Sequence, residues 1–214
     1  MESKITNIWT QLLGTSESER CRGLEIGSDG SIYISGFTEG DLDGHINNGG
    51  TSDLFISKFD SNGVKKWTKL IGNTDNEEGG YLTIGSDGSI YIGGITNPSG
   101  PGNQGTFICK LNSNGEQQWL QHYGLSDYEE GSGLTIGSDD SIYFSGYTYG
   151  NIDNQLNNGS RDAFIRKINP DGSLIWTRLI GSSEEEHGNK SVIGSDGSIY
   201  LTGYSNGNLD GQTN

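Results

Sequence analysis

The octapeptide IGSDGSIY at residues 84–91 decides the architecture of this 214-residue chain, because it recurs at a fixed distance from a tryptophan. Each copy begins 17 residues after a tryptophan. The tryptophans are Trp9, Trp67, Trp119 and Trp176, and the copies begin at Ile26, Ile84, Ile136 and Ile193, the third reading IGSDDSIY. The tryptophan spacings of 58, 52 and 57 residues indicate one repeated unit. Periods near 50 are typical of propellers and other repeat arrays.

The octapeptide predicts a β-hairpin in every unit. A short run with alternating apolar residues precedes it and reads LEI, LTI, LTI or SVI. The Asp-Gly pairs that follow supply the positive-φ residues that a tight turn requires, and Asp139-Asp140 is the one imperfect copy. The returning strand has an interior glycine, which predicts a bulge or a close backbone approach. These glycines are Gly36, Gly94, Gly146 and Gly203.

A third strand, an Asn-Gly or Asp-Gly turn and a tryptophan strand complete the unit. The third strands read LFISKF, TFICKL and AFIRKI and begin at Leu54, Thr106 and Ala163. The predicted fold class is therefore all-β: a β-propeller of four-stranded antiparallel blades, with four repeats and an incomplete closing blade. Residues 1–214 form one predicted domain. The recurrent aromatic residues are interpreted as interblade packing, and a carbohydrate-stacking tryptophan is the alternative.

The strands do not add up to four complete blades. Four tryptophan strands and four hairpins are present, but there are only three third strands, and the first tryptophan strand, at residues 5–13, has no hairpin partner before it. Two arrangements are open. One is a four-bladed ring with a thinned closing blade. The other is a segment of a larger ring, completed by further sequence or by self-association with a second copy.

Composition restricts the partners. Thirteen basic and 28 acidic residues give a formal net charge of −15, which repels phosphate backbones and anionic lipid headgroups. No nucleic-acid partner is expected. No run approaches the roughly 20 apolar residues of a membrane helix, so no membrane insertion is expected, and the first ten residues show no export signal. Cys21 and Cys109 are not equivalent in the repeat and predict neither a disulfide framework nor a zinc site.

The repeat resembles the bacterial β-propeller repeat family called SBBP. The resemblance is carried by DLFISKFDSNGVKKWTKLIG at residues 53–72 and IGSDGSIYIGGIT at residues 84–96, and it recurs across almost the whole chain. It implies a propeller embedded in larger extracellular or cell-surface bacterial proteins. It implies no single conserved activity, and it offers no catalytic residues to transfer.

The loop after each tryptophan strand has acids at two fixed positions. They are Glu17 and Glu19, Asp75 and Glu77, Asp127 and Glu129, and Glu184 and Glu186. In a propeller, equivalent loops lie on one face around the axis, so these positions predict an acidic face that binds cations or basic partners. The alternative is that each acid caps backbone N–H groups or braces the next blade.

A second acidic pattern follows the returning strand as GDLDG, GNIDN and GNLDG. Its candidate calcium ligands are Asp41, Asp43, Asp153 and Asp210. The pattern resembles the opening of a calcium loop but lacks the bidentate glutamate that completes an EF-hand. Calcium is therefore the only cofactor considered, and an Asx-turn loop is the alternative reading.

These observations favour a noncatalytic binding or scaffold module that recognises a protein or carbohydrate ligand in a bacterial surface or secreted assembly. One alternative is a calcium-dependent, lectin-like module. Another is a hydrolase or lyase that uses axis-facing carboxylates. Against catalysis, the three histidines occupy different repeat positions, and no GxSxG signature is present.

Overall fold

The computed structural model describes residues 9–48, 50–97, 104–124 and 128–213. Within these residues the chain forms fourteen β-strands, and none of it forms a helix long and apolar enough to cross a membrane. Three sheets have four antiparallel strands each, and the fourth sheet has two. The strands of each sheet pair in chain order, so every sheet is a meander. The prediction of an all-β chain with four-stranded antiparallel sheets is confirmed.

The strand bounds repeat from unit to unit. Sheet 1 contains β1 (Glu19–Ile26), β2 (Ile32–Thr38), β3 (Asp53–Phe59) and β4 (Lys65–Ile71). Sheet 2 contains β5 (Asn76–Ile84), β6 (Ile90–Asn97), β7 (Gly105–Leu111) and β8 (Gln117–Tyr123). Sheet 3 contains β9 (Glu129–Ile136), β10 (Ile142–Thr148), β11 (Asp162–Ile168) and β12 (Leu174–Ile180). Sheet 4 contains β13 (Glu186–Ile193) and β14 (Ile199–Ser205).

The sheets follow one another through their first strands. β1 packs beside β5, β5 beside β9, and β9 beside β13, whereas β1 and sheet 4 share no comparable packing. Apolar residues fill the space between successive sheets: Leu54 and Ile56 of sheet 1 pack with Leu82 and Phe107 of sheet 2 in one buried cluster. Among the residues described, the sheets form a consecutive stack and not a closed ring.

The octapeptide hairpin forms in all four sheets, but only one residue of its turn has positive φ. Gly30 has a φ of 76°, whereas Asp29 accepts hydrogen bonds from the backbone N–H and the hydroxyl of Ser31, each at 2.9 Å. The expectation that both residues of the Asp-Gly pair have positive φ is therefore wrong. The turn is a type I turn followed by a left-handed residue, a common hairpin connection.

The imperfect copy gives a first testable prediction. Asp140 occupies the glycine position with a φ of 58°, a conformation that favours glycine. Replacement by glycine, Asp140→Gly, is expected to stabilise the chain by about 1 kcal/mol and to raise Tm by roughly 2–4 °C. Urea and thermal unfolding measure the effect. The matched control is Gly88→Asp at the equivalent turn, which is expected to lose a similar amount; an unchanged Tm for both variants would contradict the explanation.

The interior glycines of the returning strands allow the predicted close approach. A Cβ built on Gly94 would lie 2.6 Å from the carbonyl oxygen of Glu78, and at Gly36, Gly146 and Gly203 the equivalent carbonyl is closer still. The pairing register also shifts at this point in every first strand, as between Gly79 and Tyr81 of β5. Both the predicted bulge and the predicted close approach are confirmed.

The tryptophans join each unit to the next. The rings of Trp67 and Trp119 lie over the turn glycines of the following sheets, Gly115 and Gly172, and Trp119 Nε1 donates a hydrogen bond to the Pro170 carbonyl at 3.1 Å. Trp9 lies over Gly63 in the same way. This placement confirms that the tryptophans pack between units. It also explains why the turn between the third and fourth strands has a buried glycine.

The two ends of the stack expose residues that are buried inside it. Leu24 of β1 is 67% exposed, whereas the equivalent Leu82 is 5% exposed. At the other end, Tyr200 of β14 is 58% exposed, whereas the equivalent Tyr33 is 2% exposed. No third or fourth strand lies beside β14 within residues 128–213. The first and last units therefore present surfaces that the inner units use for packing.

The predicted tryptophan strand at residues 5–13 is not formed in its described part. Residues 5–8 lie outside the described ranges, and residues 9–13 have no strand pairing. β4, β8 and β12 each pair with a third strand, whereas among the described residues no third strand lies beside residues 9–13. The ring of Trp9 packs on sheet 1 although its backbone is unpaired.

Candidate functional site

The second acid of each acidic loop is the first or second residue of the first strand of a sheet. Its backbone N–H reaches back to the preceding sheet: Glu77 donates to the Ser52 carbonyl at 2.8 Å, and Glu186 donates to the Arg161 carbonyl at 2.8 Å. These bonds place the side chain at the junction between two sheets. Glu77, Glu129 and Glu186 are almost completely buried there.

The buried glutamates accept hydrogen bonds from the loops around them. Glu186 accepts from the backbone N–H and the hydroxyl of Ser182, both at 2.7 Å, and from the Ser205 hydroxyl at 2.6 Å. Glu19, which is only partly buried, accepts the equivalent bonds from Thr15 and Thr38. Burial acts to raise the pKa of Glu186, but these hydrogen bonds outweigh it and lower that pKa. The second acid thus braces its loop.

The first acid of each loop is more accessible. Glu17 and Glu184 are exposed and Asp75 is partly exposed, while Asp127 lies outside the described residues. Of the eight acids of the predicted acidic face, Glu77, Glu129 and Glu186 are buried, so they are not accessible to a partner at the surface. Cation binding by the accessible acids remains a prediction.

The glycine after each tryptophan strand is explained by the same carboxylates. A Cβ on Gly124 would overlap the carboxylate of Glu129, and a Cβ on Gly14 would lie 2.9 Å from Glu19 Oε2. A side chain at these positions would displace the carboxylate from its hydrogen bonds. The glycine of the WxxxxG pattern and the acid five residues later therefore form one structural feature.

The candidate calcium loops are tight turns. Asp43-Gly44 has φ values of 53° and 79°, and Leu42 and His45 exchange backbone hydrogen bonds on either side of it, which defines a type I′ hairpin turn. Asp153 and Asp210 start equivalent turns with φ values of 48° and 50°. The positive φ values of this turn therefore explain why Asp-Gly occurs at this position.

The aspartates of these turns contact protein groups. Asp43 accepts hydrogen bonds from Lys65 and Thr68, both at 2.5 Å, and Asp41 accepts the backbone N–H of Asn47 at 2.9 Å. Asp153 is bound by Arg166 and Thr177. The threonine equivalent for Asp210 would belong to a fourth strand, and sheet 4 has no fourth strand among the described residues. In the described part of the chain, no three His, Cys, Asp or Glu side chains group to hold a metal ion. Calcium at these loops remains a prediction.

Two aspartates that the sequence reading missed lie beside the buried glutamates. Asp53 and Asp162 open the third strands of sheets 1 and 3, and both are 0% exposed. Each accepts one backbone N–H, from Asn48 or Asn158, at 3.0 Å. The other oxygen of each carboxylate, Oδ1, is buried without a hydrogen-bond partner. The sequence gives one indication of these aspartates: an aspartate opens two of the three third strands, as Asp-Leu-Phe and Asp-Ala-Phe.

Arg166 is a third residue that the sequence reading missed. It is fully buried and binds both oxygens of Glu129, with Nη1 2.6 Å from Oε2 and Nη2 3.0 Å from Oε1. Its Nε donates to Asp153 at 2.8 Å. Burial raises the pKa of Glu129, and the hydrogen bonds from Arg166 act in the opposite direction. Its repeat equivalents are Ser57 and Cys109, so it had no repeated signal.

Aromatic residues gather around Arg161 where sheets 3 and 4 meet. The Arg161 guanidinium lies over the rings of Tyr147 and Tyr149 at 4.7 and 5.7 Å, and it hydrogen-bonds Tyr204. His187 stacks between Tyr147 and Tyr204, with ring-centroid distances of 4.3 and 5.3 Å. Burial lowers the pKa of His187, so its neutral form is favoured. Tyr149 and Tyr204 are about half exposed, so this cluster offers an aromatic surface.

Cavities lie between the first strands of the sheets and beside β14. The first strands of all four sheets surround a cavity of about 240 Å³, with Arg22, Tyr81, Ser132 and Lys190 among its lining residues. The carboxylate residue Glu25 also lines it, and none of the described acidic-loop residues does. A second cavity, of about 300 Å³, lies against β14 beside Ala163, Ile180 and Leu201.

The histidines are distributed over three sheets. His45 lies in the loop between β2 and β3, His122 lies on β8, and His187 lies on β13. Burial lowers the pKa of His122 as well as that of His187. The sequence expectation that they occupy unrelated positions agrees with this placement.

The fold and these junctions define the class: an all-β repeat protein of antiparallel four-stranded sheets, with polar residues buried where sheets meet. The family described as domain of unknown function (DUF5122) beta-propeller matches residues 85–117. This partial match supports a β-propeller family, though not the SBBP family in particular.

The chain is also similar to one curated protein and to one solved structure. Regulatory protein FlaEY of Caulobacter vibrioides is 30% identical over 201 residues, which cover 79% of this chain and 21% of FlaEY. The chain therefore spans about a fifth of that relative's length. Among solved structures, catalytically inactive virginiamycin B lyase from Staphylococcus aureus with quinupristin has a TM-score of 0.32 and 14% identity. That alignment covers 90% of this chain and 87% of the lyase chain.

Proposed function

We propose that this chain is part of a β-propeller and acts as a noncatalytic binding and scaffold module, whose recognition surface is the open edge of β14. The partner in this proposal is a protein strand, supplied by another repeat unit of the same type. A bacterial surface or secreted assembly, which the family resemblance implies, belongs to the same proposal.

One observation carries this proposal: among the described residues, no third strand covers β14 as the third strands cover its equivalents. Phe55, Phe107 and Phe164 of the third strands stand opposite Gly36, Gly94 and Gly146 of the returning strands. Gly203 is the equivalent glycine of β14. It pairs with Gly188 of β13 on one side, and in the described residues no strand pairs with its other side. The cavity of about 300 Å³ beside β14 has Gly203 in its lining.

The chemistry of this edge suits an added strand. An unpaired edge offers backbone N–H and C=O groups, and apolar pockets beside it select side chains. Leu201 and Ile180 supply an apolar wall, and Tyr204 and Arg161 lie at one end of it. Tyrosine and arginine are enriched among residues that dominate binding energy at interfaces. The three third strands of this chain give the expected pattern of the occupant, Phe-Ile-x-Lys.

A peptide experiment tests this proposal. A labelled peptide with the sequence of residues 162–180, which form β11, its turn and β12, is titrated into the chain and followed by fluorescence anisotropy. Saturable binding is expected, together with protection of β14 amides from hydrogen exchange. The matched control peptide has Phe164→Asp and is expected to bind at least about tenfold more weakly, because burial of a phenylalanine contributes about 1.5–3 kcal/mol.

Two outcomes would contradict the proposal. Equal binding of the two peptides, or exchange protection away from β14, would rule out this edge as the recognition surface. Light scattering on the chain alone reports whether a second copy already occupies the edge. A concentration-dependent dimer that the peptide dissociates would identify that second copy as the competitor.

A further inference from the structure

Two junctions between sheets each bury a pair of carboxylates. Asp53 of sheet 1 faces Glu77 of sheet 2, and Asp162 of sheet 3 lies near Glu186 of sheet 4; the exposed fractions are 0%, 2%, 0% and 1%. A Cβ built on Gly72 would overlap Asp53 Oδ1 and lie 2.8 Å from Glu77 Oε2. The two oxygens therefore point into the same space beside Gly72.

Each pair has an oxygen whose bonding is incomplete. Asp53 Oδ1 and Asp162 Oδ1 are buried without a hydrogen-bond partner, although buried polar atoms are nearly always paired. The same atom is unpartnered in two units that are more than 100 residues apart in the chain. This repetition argues that the unpaired oxygen is a property of the repeat.

The junction between sheets 2 and 3 shows what happens when the aspartate is absent. Gly105 stands where the other third strands have Asp53 and Asp162. There the remaining carboxylate, Glu129, is bound by the buried guanidinium of Arg166 at 2.6 and 3.0 Å. One buried negative charge is thus balanced by one buried positive charge.

The two carboxylate pairs have no such counter-charge. Among the described residues, no lysine, arginine or histidine forms an ion pair with any of the four carboxylates; the arginine nearest in sequence to Asp162, Arg161, pairs with Glu185 instead. Burial raises the pKa of Asp53, of Glu77 and of Asp162, and the Asp53 charge adds to the shift at Glu77. The pKa of Glu186 is lowered, because its hydrogen bonds from Ser205 and Ser182 outweigh burial. Two like charges that are buried together require a cation or a proton between them.

Backbone oxygens lie near the second pair. The N–H groups of Asn158 and Ser182 donate to Asp162 and Glu186. A Cβ on Gly159, the neighbour of Asn158, would lie 2.6 Å from the Ser182 carbonyl oxygen. Carboxylate and carbonyl oxygens in irregular geometry are the ligands that calcium prefers, whereas magnesium requires near-ideal octahedral geometry. A divalent ion would also balance the charge of two carboxylates.

We propose that Asp53 with Glu77, and Asp162 with Glu186, form two equivalent calcium sites that join neighbouring sheets. Each ion would balance the buried negative charge at its junction, as Arg166 balances the charge of Glu129 between sheets 2 and 3. This proposal is independent of strand binding at β14, and it differs from the calcium loops predicted at Asp41 and Asp43, whose carboxylates bind protein groups.

Calorimetric titration of the chelator-treated chain with CaCl2 tests the sites. Two equivalents of calcium are expected to bind, with a rise in Tm of about 5 °C or more at saturation. Asp53→Asn and Asp162→Asn are each expected to remove one equivalent, and the double variant both. Asp41→Asn is the matched control and is expected to keep both equivalents.

The wild-type stoichiometry decides the question even if a variant folds poorly, and circular dichroism in chelator checks the folding of each variant. The proposal is overturned if the wild type binds no calcium up to about 10 mM, ten times the weakest dissociation constants of extracellular calcium modules. A chelated chain whose Tm rises as the pH is lowered from about 8 to about 6, with no calcium effect, would assign a shared proton to each pair instead. A double variant that retains both equivalents would also overturn it.

Discussion

Replacing Arg166 with methionine is expected to lower the free energy of unfolding by about 3–5 kcal/mol, because the change leaves the Glu129 carboxylate buried without its counter-charge. Arg166 is fully buried and joins three elements: it binds Glu129 of β9, Asp153 of the loop between β10 and β11, and Thr106 of β7. Its guanidinium also lies 4.8 Å from the centroid of the Phe164 ring. Since folded domains are stable by only about 5–15 kcal/mol, this loss would be a large part of the total.

The double variant Arg166→Met with Glu129→Gln is the control for this prediction. It removes both charges, keeps similar volumes and is expected to recover most of the loss, because well-packed neutral replacements of buried ion pairs are often tolerated. Urea unfolding measures the three proteins. If Arg166→Met alone lies within about 0.5 kcal/mol of the wild type, the pair does not have the proposed structural role.

The single variant is also expected to depend on pH. Burial already raises the pKa of Glu129 in the folded state above the ordinary value of 4.5, and the loss of Arg166 removes the opposing effect. A carboxyl whose folded pKa is raised favours folding when it is protonated. The Arg166→Met chain is therefore expected to regain stability as the pH falls from neutrality toward 4.5, and to lose it again as the pH rises through the folded pKa. The wild type should show a smaller change over this range.

The fold could be predicted from the sequence because its determinants repeat. Tryptophan, Asp-Gly turns and interior glycines recur in register, and each has a local backbone or packing reason that one unit already reveals. Trp119 over Gly172 and the carbonyl approach at Gly94 are such cases. Closure into a ring cannot be predicted from one unit, because it depends on contacts between units that are far apart in the chain.

The sites could be predicted only in part, because burial of long polar side chains depends on neighbouring sheets. Glu77 and Glu17 both occupy repeated loop positions, yet one is buried and the other exposed. Arg166 has no counterpart in the other units, so the repeat comparison offered no reason to select it. Asp43-Gly44 forms a type I′ turn, and the Asp-Gly pair in the sequence is typical of such a turn. The neighbouring residues with side-chain oxygens favoured a calcium site instead. Glycan recognition and calcium-dependent binding stay predictions.

Replacing Gly146 with alanine is expected to destabilise the chain by about 3 kcal/mol or more, since the added methyl group would overlap backbone atoms that cannot rotate away. The overlapping atom is the carbonyl oxygen of Glu130, and the Glu130 carbonyl carbon and the Gly131 Cα would both lie 2.9 Å from the new Cβ. Gly146 pairs with Gly131 at the point where the register of β9 and β10 shifts. Relief of the overlap would therefore require the two strands to separate.

Gly197→Ala separates this steric effect from the conformational cost of losing a glycine. Gly197 has a φ of 82° and open space around its Cα, so alanine there meets only the cost of the left-handed conformation, about 1 kcal/mol. Gly146 does not have positive φ, so its expected loss comes from contact alone. Gly94→Ala, with a closest backbone approach of 2.6 Å, is expected to fall between the two. Urea unfolding that ranked Gly197→Ala as the most damaging of the three would show that backbone conformation, and not the approach of the first strand, requires these glycines.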